Sequence, residues 1–183
     1  MEKEAISHKA TLEVAEAKFT IDGYEEIFSE FDPRPLSERG LASDFFFELE
    51  RAIMSKPVEK IDFLMMIPED KRDLKKEKII RERLKDYFKR HYEIMKKEKK
   101  KIVNKGAAFV ISGLILMLAA TLLLYNFKDH GILITFLIVL LEPGGWFLFW
   151  KGLELAFFDA NEAVPNLKFY KRMSNANIRF DSA

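Results

Sequence analysis

A single acidic residue interrupts an otherwise uncharged run. Glu142 lies within Gly131–Trp150, GILITFLIVLLEPGGWFLFW, and is followed by Pro143, Gly144 and Gly145. Pro143 cannot donate to the carbonyl four residues back, and paired glycines lower the cost of an unwound turn. The combination predicts a broken helix whose freed backbone and carboxylate line an ion or proton path. A structural role competes with this: Glu142 caps the second half-helix, Pro143 takes its first position, and the carboxyl is protonated, bonded to a neighbouring chain or close enough to the interface for water. The structural role is favoured, because one acid without a basic partner makes a thin relay.

Two further sets of side chains bear on binding. Ala108, Ser112, Gly113 and Ala119 are small residues in an apolar stretch, the pattern that lets helix backbones approach within a hairpin or between subunits. Lys96, Lys97, Lys99, Lys100, Lys101 and Lys105 form a basic run that predicts contact with anionic lipid headgroups. The same run is a topology signal in its own right.

Residues suited to catalysis or metal binding are not arranged for it. The chain has no cysteine and three histidines, His8, His91 and His130, with no H-E-x-x-H or equivalent spacing. No nucleophile stands beside a base in a recognisable motif, so no catalytic residue, metal or cofactor is expected. The basic run lacks interleaved aromatics or a recognition motif, which argues against nucleic acid.

The elements that position these residues are two apolar stretches. Gly106–Phe127 holds 22 residues without a charge, and Gly131–Trp150 follows after Lys128, Asp129 and His130. A bilayer core of about 30 Å needs roughly 20 apolar residues, so spans are expected at 106–127 and 131–150. Residues 96–105 carry six lysines against one glutamate. By the positive-inside tendency both termini are expected in the cytoplasm and 128–130 outside. Residues 1–30 show no basic start, apolar core and cleavage site, so the first span is expected to direct insertion at the cell membrane.

The remainder reads as a small α/β domain over residues 10–95. Alternation from Thr11 to Ile21, with a phase slip near Ala15–Glu16, predicts a strand with a bulge. Asp22-Gly23 favours a type I′ turn, with Tyr24–Phe31 returning as a second strand or forming a helical turn. Leu41, Phe45, Leu49 and Ile53 predict a helix over 41–54, capped by Ser37 or Ser43. Ile61–Ile67, bounded by Pro57 and Pro68, predicts a buried central strand with helices on both faces. From about Glu69 to Lys105 the chain lacks Gly and Pro, which predicts one long stalk helix continuous with the first span. Its apolar stripe is Ile80, Leu84, Phe88, His91 and Met95. Residues 96–159 form the basic segment and hairpin. Pro165 is expected to end the second span's continuation. The tail, 160–183, carries a weak hairpin signal and is a candidate to dock on the sheet.

The sequence thus predicts an α+β membrane protein: a cytoplasmic α/β domain, a stalk helix, a two-helix hairpin and a short tail. Its expected role is non-enzymatic and homo-oligomeric, with the soluble domain binding a protein partner or small ligand. A small oligomeric channel using Glu142 is the alternative, and a lipid-acting enzyme the third.

Overall fold

In a computed structural model, residues 14–56, 59–126 and 131–183 are described. The expected turn at 128–130 and the strand start at Thr11 lie outside them. The chain is mostly helical, with one three-stranded parallel sheet. It divides into two compact units, one of residues 1–92 with 168–183 and one of residues 93–167. The chain thus leaves the first unit after residue 92 and returns to it at residue 168.

In the first unit, β1 (Val14–Thr20) pairs with β2 (Lys60–Ile67), and β2 pairs with β3 (Asn177–Ser182), all parallel, with β2 in the middle. The register from Val14↔Lys60 to Thr20↔Met66 is unbroken, so β1 carries no bulge. No hairpin follows it. Gly23 is extended at φ −168°, and Tyr24–Ile27 makes one 3₁₀ turn. That turn buries Tyr24 and Ile27, and a returning strand would bury only one of them.

Both connections step the same way across the sheet. Right-handed crossovers that step the same way place their helices on the same face. The core accordingly lies on one side, formed by Ala17, Phe63, Met65, Ile178 and Phe180 beneath α1 (Ser43–Met54), the start of α2 (Leu74–Asn126) and α5 (Val164–Ser174). Helices on both faces, as expected from the apolar run of β2, are not what forms. The open face is instead finished by charged side chains. Lys18 and Arg179 flank Leu64 in register, and Arg179 with Asn177 holds the Asp62 carboxylate. Leu64 between them is buried, although no described helix is part of a core on that face.

Both sheet edges are blunted by a cation. Lys56 donates to the outward carbonyl of Glu16 on β1, and Arg72 Nη2 donates to that of Phe180 on β3, 3.4 Å away. Occupied edge carbonyls are poor templates for another strand.

α1 begins at Ser43 after Ala42, with no side-chain cap. Phe45, Leu49 and Ile53 form its buried stripe. α2 begins at Leu74, five residues later than expected, because Asp73 caps it: its Oδ1 accepts from the amides of Lys75 at 2.9 Å and Lys76 at 3.2 Å. Glu77 is buried on the first turn of α2, held by Arg72 Nε at 2.9 Å and the Tyr24 hydroxyl at 3.2 Å. A buried charge needs such partners. In the segment before α1, the Arg34 guanidinium holds the half-buried Asp32 carboxyl well below its ordinary range.

The C-terminal segment is a helix and a parallel strand rather than a hairpin. Pro165 is the second residue of α5, a position where its missing donor costs nothing, so it opens a helix instead of ending one. Arg172 of α5 donates to the carbonyls of Ile53 and Lys56 at the end of α1. These bonds fix β3, which follows, beside β2.

Candidate functional site

The second unit consists of the later part of α2, then α3 (Ile132–Glu154), a π-helical turn over Leu155–Asp159 and the short α4 (Ala160–Glu162). Two of its helices are long and apolar enough to cross a membrane, and only 11% of each apolar window is buried within the chain.

What buries them against each other is a repeat of seven. Among the described residues of 106–154, the buried positions are Gly106, Gly113 and Ala120 on α2 and Ile138, Gly145 and Gly152 on α3. A strict seven-residue seam keeps two helices in contact along a left-handed crossing. Contacts here are backbone to backbone. A Cβ on Gly113 would lie 2.6 Å from the Gly145 carbonyl oxygen, and one on Gly152 would lie 2.6 Å from that of Gly106.

Seven residues beyond Gly152 the repeat would bring Asp159 onto the seam. The π-helical turn inserts one residue of phase there, so Ala160 is buried instead. The same side of the seam continues on α2 to Lys99, the half-buried member of the basic run.

The predicted site residues fall on different faces. Gly113 and Gly145 meet at the seam. Ala108 and Ser112 are exposed and Ala119 is half-buried, so the four small residues do not form one contact stripe. Gly106, Ala120 and Gly152 are not marked by four-residue spacing, and the seven-residue spacing does mark them. Lys96, Lys97, Lys100, Lys101 and Lys105 are exposed, and Lys105 sits 6.0 Å over the Phe109 ring.

Glu142 and Pro143 are exposed on the outer face of α3, beside Met117 and Trp146, in a recess of about 350 Å³. α3 is continuous through them, which corrects both the broken helix and the half-helix cap. Pro143 removes only the bond to Val139, and the turns on either side keep theirs. Gly144 has nothing within 4 Å of where its Cβ would stand, so it frees no room for an unwound turn. No described residue bonds to the Glu142 carboxylate. Among the described residues, no three His, Asp or Glu side chains gather to hold a metal ion.

The comparisons with known proteins are silent: no family model, curated protein or solved structure matches this chain.

Proposed function

We propose that this chain is a two-span integral membrane protein of the cell membrane, non-enzymatic and homo-oligomeric, whose α/β domain lies in the cytoplasm and binds a partner or ligand. One observation carries the topology: the pairing of β2 with β3. Residues 68–176, with both apolar helices, are inserted in the crossover between these adjacent parallel strands. Strands of one sheet lie on one side of a bilayer, so the insertion must cross it an even number of times. The lysine run on α2 supports the cytoplasm as that side.

Glu142 supports assembly. A carboxylate near the middle of a span costs about 2.5–3.5 kcal/mol on insertion scales, and this one is exposed on the outer face of the hairpin. In an oligomer whose axis runs along the bilayer normal, each Glu142 stands at the depth of its copies. Two such side chains at one depth can hydrogen-bond to each other.

Single cysteines test the topology cleanly in a chain that has none. In intact cells, a membrane-impermeant maleimide should label cysteine at Asn126 and spare cysteine at Ala183. Labelling at both positions, or at Ala183 alone, would overturn the arrangement.

A further inference from the structure

Beyond the seam and Glu142, the end of the hairpin that carries the lysines presents an aromatic groove of about 590 Å³ on the outer face of α3 and the π-helical turn. Phe147, Trp150, Phe157 and Phe158 wall it, each more than half exposed. The Lys151 ammonium and Glu154 carboxylate lie on the same lining, paired at 2.9 Å. Gly106 packs on Gly152 and Ala156, so this lining stands at the level of Lys105, where charge gives way to the apolar run. In the membrane arrangement proposed above, that level is the headgroup boundary.

We infer that this groove binds a phospholipid whose headgroup carries both a phosphate and a primary ammonium, of the phosphatidylethanolamine class. The inference rests on the membrane reading. Lys151 and Glu154 are its chemical basis. An i, i+3 ion pair open to solvent is worth little by itself and exchanges readily for other partners. A headgroup with both charges serves both residues: phosphate oxygens accept from Lys151, and the ammonium donates to Glu154. A net-negative headgroup gains the lysine but faces the carboxylate 2.9 Å from it. A quaternary ammonium has no N–H to donate. Aromatic faces beside the ammonium favour a cation, and the exposed rings below take the upper acyl chain. A groove of this size suits a small-molecule moiety.

The two tryptophans, Trp146 and Trp150, provide the test. In the Trp146→Phe variant, Trp150 reports on the groove through quenching by phospholipids brominated on the acyl chain, titrated into mixed micelles. Phosphatidylethanolamine should quench at about three- to tenfold lower mole fraction than phosphatidylcholine or phosphatidylglycerol, the scale of one or two modest hydrogen bonds. Glu154→Gln, at an exposed position, should abolish that preference. Equal quenching by the three lipids, or a preference for either other headgroup, overturns the inference. So does shielding of Trp150 that grows with protein concentration, which would assign the groove to a second copy. The Trp150→Phe variant separates this failure from that of the membrane reading: if neither tryptophan is quenched by any lipid, the hairpin is not embedded and both fall.

Discussion

Gly145 packs against Gly113 so tightly that a Cβ placed on it would stand 2.9 Å from the Gly113 carbonyl oxygen and 2.8 Å from Met117 Cγ. Its sequence neighbour Gly144 has open space in the same position. Gly145→Ala should therefore force the two helices apart and cost about 1–3 kcal/mol, the usual penalty of overpacking. Gly144→Ala should be neutral, or stabilising by up to about 1 kcal/mol through helix propensity. Thermal unfolding of the two variants, matched in detergent, gives the comparison. Equal melting temperatures would refute the seam.

The seam was written in the sequence at a period other than the one sought. Small residues four apart draw attention to Ala108, Ser112 and Gly113, whereas the contact follows Gly106, Gly113 and Ala120. Two long apolar stretches and a central strand were legible because hydrophobic runs dominate local choices. The order of the strands was not. β3 lies more than 100 residues from its partner β2, and no local pattern distinguishes a parallel edge strand from a hairpin arm. The helix continues through Pro143 for a related reason: one lost hydrogen bond is a small cost when the turns on either side keep theirs.

Neighbouring strand residues should respond unequally to truncation. Phe63 is fully buried under the helices, in edge contact with Phe19 at 5.5 Å between ring centroids. Leu64 points to the opposite face, where Lys18 and Arg179 flank it in register. Phe63→Ala should cost about 3–5 kcal/mol, and Leu64→Ala about 2 kcal/mol, because these flexible side chains can settle into the vacated space. Chemical denaturation would rank them. A larger loss at Leu64 would mean that a further layer covers the open face.

Alkaline pH should loosen the first unit. Burial raises the hydroxyls of Tyr87 and Tyr170, with Tyr170 reaching about 12. Arg83 and the bond between the two hydroxyls partly offset the rise at Tyr87, and Glu50 adds to it at Tyr170. The folded protein thus keeps protons that the unfolded chain releases near pH 10, and stability falls as pH rises from there toward 12. Below pH 10 the contribution is complete. Tyr170→Phe should flatten this limb of a stability-versus-pH curve. An unchanged slope would remove Tyr170 as its source.

Glu142 separates assembly from conduction. Its carboxylate faces outward from a continuous helix, in which Pro143 frees only the Val139 carbonyl. The proposed assembly instead gives it a partner at the same depth. Glu142→Gln keeps both a donor and an acceptor and should assemble as well as the natural chain. Glu142→Leu fits lipid equally well but removes the bond between copies, worth about 1–2 kcal/mol in a membrane. Association should then weaken by roughly five- to thirtyfold, read by energy transfer between labelled copies diluted in bilayers. Proton flux through vesicles should be the same for the natural chain and the Gln variant. If the Leu variant associates as tightly as the natural chain, the carboxyl does not hold the copies together. If the Gln variant abolishes a flux while assembly persists, the acid belongs to a conducting path.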